Sequence, residues 1–207
     1  MVNSILKLRH ALATLAFFSC LAMSAEDGEP LPILLDAASS SFDQKNETVL
    51  FRSLQITQGD LGIRADEAVA SALDFERSEW RFTGNVRITV ESTTIAADSA
   101  ELIFEAHALV VAELRGAPAR FEDLSETREH PISGSANILS YDNVDRILRM
   151  NEGARLSEGS NEMTGCNLIY DLGQKQITSG SSGCDEQVVI TIIPPSDDTE
   201  PESASPP

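Results

Sequence analysis

The histidines are the side chains in this sequence best suited to acid–base chemistry or metal binding near neutral pH. A metal site or a catalytic base needs a second ligand or an orienting partner at a suitable spacing. His10 lies within residues 1–25, a predicted export leader. Neither His107 nor His130 has a second ligand or an orienting partner at such a spacing. The sequence also contains no Gly-rich phosphate loop and no Gly-x-Ser-x-Gly motif. We therefore predict no catalytic residues, no metal site and no cofactor, and we do not expect an enzyme.

Two aspartates, Asp66 and Asp98, each follow an alanine at the same position of a sequence repeat. A catalytic carboxylate needs to occur only once, whereas a turn-forming or strand-capping aspartate recurs from unit to unit. The recurrence therefore favours a structural role for both residues.

Cys166 and Cys184 are predicted to form a disulfide. The third cysteine, Cys20, lies within residues 1–25, a predicted export leader. Its removal leaves two cysteines, and an oxidising compartment favours their pairing. A Gly-rich stretch, residues 179–183, lies between them. In the chain-entropy account a loop of this size is stabilised by about 3 kcal/mol.

Residues 1–25 have the layout of a cleavable secretory signal. Lys7 and Arg9 precede an apolar run over residues 11–23, and small residues end the segment. A bilayer span needs about 20 apolar residues, more than this run supplies. We therefore expect export from the cytoplasm by a cleavable signal, with retention of residues 11–25 as a membrane anchor as the alternative.

The remaining chain is strongly acidic. The full sequence carries 15 basic and 33 acidic residues, and loss of Lys7 and Arg9 changes the net charge from −18 to −20. Such a charge disfavours nucleic acid and anionic lipid surfaces as partners.

Residues 80–90 alternate strictly between two faces and predict a strand with one buried side. The apolar face is Trp80, Phe82, Gly84, Val86, Ile88 and Val90, and the polar face is Arg81, Thr83, Asn85, Arg87 and Thr89. Gly84 and Asn85 are predicted to form a bend or bulge within it.

Weaker copies of this pattern recur at intervals near 30 residues. Aligning Ile63, Ile95, Ile132 and Met163 gives separations of 32, 37 and 31, with a small residue two positions later in each copy. Gly-containing turns are predicted at residues 114–121 and 150–156. Such a repeat indicates stacked β-hairpins or a coiled β-solenoid.

Residues 97–114 are rich in helix formers, yet the repeat predicts two strands there that turn near Ala106 and His107. The rest of the layout follows from composition. Residues 26–47 are predicted to be a linker or extended arm, residues 48–193 the β-domain with a last strand at 188–193, and residues 194–207 a disordered acidic tail.

Three motifs together resemble the OstA-like domain of the LptA family of periplasmic lipopolysaccharide-transport proteins. They are F-T-G-N-V-R-I at 82–88, A-A-D-S-A-E-L at 96–102 and G-A-P-A-R-F at 116–121. A partial copy precedes them at Ala65, Asp66 and Ala68. In the later copies Gly134-Ser135 and Gly165-Cys166 replace the Ala-Asp pair, and the resemblance spans about residues 56–177.

This resemblance implies an all-β fold, a β-jellyroll made of a twisted stack of antiparallel strands with an open apolar trough for the acyl chains of lipid A. The residues expected to line the trough are Trp80, Phe82, Val86, Ile88, Val90, Leu102, Phe104 and Val110. It also implies transport between inner-membrane and outer-membrane components of the Gram-negative envelope. Head-to-tail association would use end strands near residues 49–57 and 188–193.

Two alternatives stay open at this point. A membrane-anchored partner of the same transport system would retain residues 11–25. A ligand-free structural β-repeat protein would have the same alternation but no bound lipid.

Overall fold

The computed structural model describes residues 31–126, 129–179 and 187–194. Within these ranges the chain forms strands and no helix, which confirms the predicted all-β class. The strands are β1 Leu34–Asp43, β2 Thr48–Gln58, β3 Leu61–Ala70, β4 Arg77–Val90, β5 Thr93–Glu105, β6 Ala108–Asp123, β7 Ile132–Asp142, β8 Ile147–Glu158, β9 Asn161–Asp171, β10 Gln176–Ser179 and β11 Val189–Thr191. Strand β4 contains the predicted strand 80–90, and its buried residues alternate as expected.

The strands form one antiparallel sheet in which each strand from β1 to β9 pairs with the next in the chain. Strand β11 instead pairs with β9, where Val189 lies opposite Thr164. Strand β10 covers the other end of the same β9 edge, where Ser179 lies opposite Leu168. Strands β10 and β11 are therefore two pieces of one edge strand, interrupted beside Cys166.

The β-structure begins earlier than the sequence analysis predicts. Strand β1 lies within the predicted linker or arm 26–47 and pairs with β2 from Leu34 opposite Thr57 to Asp43 opposite Thr48. Its residues show little alternation, because most of them are exposed and only Leu35 and Ala37 are half-buried. The predicted last strand is shorter than expected, since β11 spans three residues. The predicted signal sequence, residues 1–25, lies outside the described residues, as does the tail beyond Pro194.

A line of β-bulges crosses the sheet at mid-strand, and we call it the crease. The strand register shifts there in every pairing from β3–β4 to β8–β9. The residues on it are Ala65-Asp66, Gly84-Asn85, Ala97-Asp98, Gly116-Ala117-Pro118, Ala136-Asn137 and Glu152-Gly153. The sequence motifs therefore mark where the strands bend, and the predicted bulge at Gly84 and Asn85 is confirmed.

Two details of the predicted repeat are wrong. The Gly-containing turns predicted at 114–121 and 150–156 are bulges inside β6 and β8, which continue through them. In β7 the crease passes through Ala136 and Asn137, not through Gly134 and Ser135. The repeat alignment is therefore two residues out of register in β7. Gly134 occupies the core position opposite Phe121, where the absence of a side chain leaves room for the phenylalanine ring.

The crease divides the sheet into two halves. The upper half contains segments 54–58, 61–64, 86–90, 93–96, 119–123, 132–135, 154–158 and 161–165, and the lower half contains 48–52, 67–70, 77–83, 99–105, 108–115, 138–142, 147–151 and 167–171. The sheet rolls so that the halves face each other. Phe121 in the upper half of β6 stacks on Tyr170 in the lower half of β9 at 6.0 Å, although β7 and β8 lie between these strands in the sheet.

Candidate lipid-binding interior

The interior between the two halves contains nearly all of the residues predicted to line a trough. Trp80, Phe82, Val86, Ile88, Leu102 and Phe104 are buried there, and Val90 is half-buried and packs against them. The alternation along β4 and β5 places these side chains, because successive residues of a strand point to opposite faces.

Val110 is the residue that the sequence analysis misplaces. The pairing of β5 with β6 shifts register between Ile103 and Phe104, so that Leu109 lies opposite Phe104. The shift moves Val110 to a half-buried position and leaves Leu109, 2% exposed, in the core. A bulge reverses the inside-outside alternation, and no residue type in this stretch indicates it.

Aromatic side chains fill the centre of the interior. Trp80 stacks with Phe51, Phe75 and Phe82 at centroid distances of 5.7, 5.2 and 5.9 Å. The indole Nε1 donates to Ser78 Oγ at 3.0 Å, which satisfies a buried polar atom. Occupation of this space by an acyl chain would therefore require these rings to move apart.

The strand ends farthest from the crease meet across a seam that we call the mouth. Three polar contacts bridge it. Gln58 donates to the carbonyl oxygen of His107 at 2.7 Å, Arg146 binds Glu91, and the Tyr170 hydroxyl donates to Asp123 at 2.7 Å. Each contact joins a strand end in the upper half to one three strands further along the sheet. The three contacts therefore mark the line along which the rolled sheet closes on itself.

The Glu91–Arg146 pair is bidentate, with nitrogen–oxygen distances of 2.9 and 2.8 Å. Its hydrogen bonds to Glu91 raise the pKa of Arg146, so the guanidinium stays charged. The two side chains, Arg146 and Glu91, are 43% and 53% exposed, and solvent screening keeps such pairs weak. This contact can therefore open at little cost.

Asp123 lies deeper in the seam. It is 4% exposed and accepts hydrogen bonds from Ser92 Oγ and Tyr170, each at 2.7 Å. A buried carboxylate held by several donors is costly to leave unpaired. This contact should hold the mouth more firmly than the exposed pair at Glu91.

Asp66 fixes the bend of β4 at the crease. Its Oδ2 accepts a hydrogen bond from Asn85 Nδ2 at 2.8 Å. Gly84 has a φ of +77°, and a Cβ there would lie 2.5 Å from Asp66 Oδ2 and 3.0 Å from Asp66 Cβ. The Gly-Asn and Ala-Asp motifs of neighbouring strands thus form one structural unit, in keeping with the predicted structural role of Asp66.

Cys166 lies in β9 at the crease and is disulfide-bonded. Cys184, its predicted partner, lies outside the described residues, so the pairing of Cys166 with Cys184 stays a prediction.

His107 lies in the β5–β6 turn, as the sequence analysis expects, and His130 lies in the loop before β7. Among the described residues, no group of three His, Cys, Asp or Glu side chains is arranged to hold a metal ion. In the same part of the chain there is also no helix with the length and apolar character of a membrane span.

The rolled antiparallel sheet with an apolar interior defines a β-jellyroll. The family model described as "LptA/(LptD N-terminal domain) LPS transport protein" matches residues 67–176, more than half of the 207-residue chain. The chain therefore belongs to this family, as the three motifs predict.

The chain is also similar to individual known proteins. Lipopolysaccharide export system protein LptA of Haemophilus influenzae is 28% identical over 128 residues, which cover 60% of this chain and 73% of that protein. The crystal structure of LptH from Pseudomonas aeruginosa, described as the LptA-homologous periplasmic component of a lipopolysaccharide transport device, superposes with a TM-score of 0.50. It covers 79% of this chain and 96% of LptH at 16% identity, which supports the fold.

Proposed function

We propose that this protein binds lipopolysaccharide in the periplasm and passes it from inner-membrane to outer-membrane transport components. The acyl chains of lipid A occupy the interior between the two halves. The observation that carries this proposal is the unbroken apolar core, which runs from Phe51 in β2 to Leu172 after β9 and lies behind a polar mouth. The names of the family and of its relatives supply the ligand class.

Binding requires the halves to part at the mouth while the crease acts as the hinge. Separation exposes apolar side chains, and acyl chains then restore their burial at about 25 cal/mol per Å² of apolar surface. The exposed Glu91–Arg146 pair opens first in this scheme, and the buried Asp123–Tyr170 contact limits how far the halves separate.

The proposal is tested by crosslinking at neighbouring residues that face opposite sides of β4. A photoreactive phenylalanine analogue at Phe82, which is fully buried, should crosslink to lipopolysaccharide. The same analogue at Thr83, which faces solvent, should crosslink little. Equal crosslinking at both positions, or none at Phe82 in a folded protein, would contradict an internal acyl site and would favour a ligand-free β-repeat protein.

Fluorescence gives an independent measurement, because Trp80 is the single tryptophan of the sequence and lies in the interior. Lipopolysaccharide should change its emission in a saturable way. The polysaccharide released by removing the acyl chains should leave the emission unchanged.

The periplasmic location and the cleavable signal are part of the proposal. Sequencing the amino terminus of the protein recovered from the periplasm should give a start near residue 25 or 26. A chain that begins at Met1 and stays in the membrane fraction would favour the membrane-anchored alternative.

Head-to-tail association would use the two edges of the sheet. The predicted edges change with the structure, since β1 rather than β2 forms the first edge and β10 with β11 forms the other. Both edges carry exposed apolar side chains, among them Phe42, 61% exposed, and Ile190, 58% exposed. Unpaired strand edges and exposed apolar groups favour strand addition.

A proline substitution tests this association. Val189→Pro lies in β11 and should lower the mass measured by light scattering while the monomer stays folded. Ile192→Pro lies just beyond β11, is 71% exposed in the native chain and serves as the control. An unchanged mass for Val189→Pro would contradict strand addition at this edge.

A further inference from the structure

Four arginines lie on one line across the outer face of the upper half, and we call them the arginine row. They come from β3, β4, β6 and β8 but share one register across the sheet. Arg64 lies opposite Arg87, Arg87 opposite Ala96, Ala96 opposite Arg120, Arg120 opposite Ser135, and Ser135 opposite Arg155. All four side chains are exposed. The row borders the crease on its upper side.

Small residues between the arginines leave a groove in this surface. Ala96 on β5 and Ser135 on β7 form part of a groove of about 350 Å³ that also includes Arg87, Arg120 and Arg155. Hydroxyl groups and one carboxylate complete its polar lining, namely Thr94, Ser133, Ser157 and Glu122. Arg64 and Arg87 share the adjoining groove over β3. The surface offers several hydrogen-bond donors around the row.

Three of the four arginines have no acidic partner among the described residues. Arg155 binds Glu162 at 2.6 Å, but Arg64, Arg87 and Arg120 make no ion pair. The sequence contains more than twice as many acidic as basic residues, so partners are not scarce. Like charges directly opposite each other on neighbouring strands destabilise a sheet, as Arg64 and Arg87 do here. Stability alone does not account for this arrangement.

We propose that the arginine row binds phosphate groups of the lipopolysaccharide headgroup on the outer face of the upper half. This inference rests on the proposed function and adds a second, polar subsite to it. A guanidinium presents paired donors that match a phosphate, and hydroxyl groups add further hydrogen bonds. Strands lie about 4.8 Å apart, so Arg87, Arg120 and Arg155 follow one another at about 10 Å. That spacing suits a saccharide that carries more than one anionic group.

The net charge of the chain does not oppose this binding at physiological salt. The Debye length is about 8 Å at 0.15 M, so a phosphate at the row senses the nearby arginines more than distant carboxylates. The net charge predicts weak salt dependence of lipopolysaccharide binding, whereas the arginine row requires a marked one. A salt titration therefore separates the two expectations.

Two variants with the same change in charge test the proposal. The row variant is Arg64→Gln/Arg87→Gln/Arg120→Gln, and the control variant is Arg52→Gln/Arg77→Gln/Arg81→Gln in the lower half. At low salt the row variant should bind lipopolysaccharide about tenfold more weakly than the wild type, and the control should change about twofold or less. The difference should shrink as salt is raised. It should disappear for lipopolysaccharide treated with phosphatase.

The outcomes are distinct. If the wild type binds neither intact nor phosphatase-treated lipopolysaccharide, the proposed function fails and the subsite with it. If the wild type binds both and the row variant binds intact lipopolysaccharide as tightly, only the subsite is wrong. If inorganic phosphate alone binds as tightly as lipopolysaccharide, the row recognises free phosphate and not the lipid headgroup. A changed oligomer mass of the row variant with unchanged lipid binding would instead assign the row to an acidic face of a second copy.

Discussion

The outer faces of the two halves differ in how many of their arginines bind an acidic side chain. In the lower half, Arg52, Arg77 and Arg81 each bind a glutamate on the neighbouring strand, at 3.1, 3.6 and 3.2 Å. In the upper half, three of the four arginines of the row bind no acidic side chain of the described chain.

The crease therefore separates two kinds of surface on the same strands. Strand β4 contributes Arg81 to the paired surface on one side of Gly84 and Arg87 to the arginine row on the other. Cross-strand ion pairs neutralise three arginines of the lower face, whereas Arg149 there makes no ion pair within the described chain. The upper face keeps uncompensated positive charge within an acidic protein, and such charge is available to an external anion.

The largest expected effect on stability comes from a substitution at the crease, because the bend there brings the two halves face to face. Gly84→Ala adds a Cβ against Asp66 at a φ of +77° and should disturb the hydrogen bond from Asn85. We expect a loss of about 2–3 kcal/mol in urea unfolding. Gly153→Ala is the matched control, since its φ is +73° and nothing lies within 4 Å of the added Cβ. It should cost about 1 kcal/mol. Equal losses would contradict the role given to Asp66.

The Glu91–Arg146 contact between the halves should affect the rate of lipid entry more than the stability of the fold. Glu91→Gln removes a pair that bridges the mouth, whereas Glu101→Gln removes the Arg81 pair within the lower half. Both pairs are exposed, so each should contribute about 1 kcal/mol or less. Only Glu91→Gln should speed the change in Trp80 fluorescence on mixing with lipopolysaccharide, by several-fold in stopped-flow measurements. Equal rates for the two variants would show that this contact does not gate the interior.

The smallest expected effect is on stability, which should change in opposite directions when either of two arginines of β4 is replaced. Arg87→Gln relieves repulsion with Arg64 directly opposite and should stabilise the fold slightly. Arg81→Gln leaves Glu101 unpaired and should destabilise it. Each change should be about 0.5 kcal/mol or less at low salt and smaller at high salt, as measured by urea unfolding. A stability loss for Arg87→Gln equal to that of Arg81→Gln would remove the distinction between the two faces.

The sequence is informative where alternation is strong and local. Trp80, Phe82 and Ile88 identify the buried face of β4, and the turn at Ala106 and His107 follows from the repeat despite helix-forming residues. The bulge at Gly84 is also visible, because a glycine-asparagine pair that interrupts a strand pattern is typical of a bulge.

Features that depend on strand pairing and register were not predictable. Val110 changes position with Leu109 because of a bulge that leaves no compositional trace. Strand β1 is stabilised by pairing with β2 rather than by burial, so its sequence lacks a strand pattern. The arginine row requires the shifts at five successive pairings to be known before its members can be placed on one line.

The offset of three strands across the mouth gives the rolled sheet a fixed period. Gln58 at the end of β2 meets the β5–β6 turn, Glu91 after β4 meets the β7–β8 turn, and Asp123 in β6 meets β9. By the same period, the turn between β8 and β9 would meet a strand beyond the last edge of the described sheet. A second copy joined at that edge would continue the seam only if its strands kept the same phase. The period would then set the rotation between successive copies, whatever side chains form the contact.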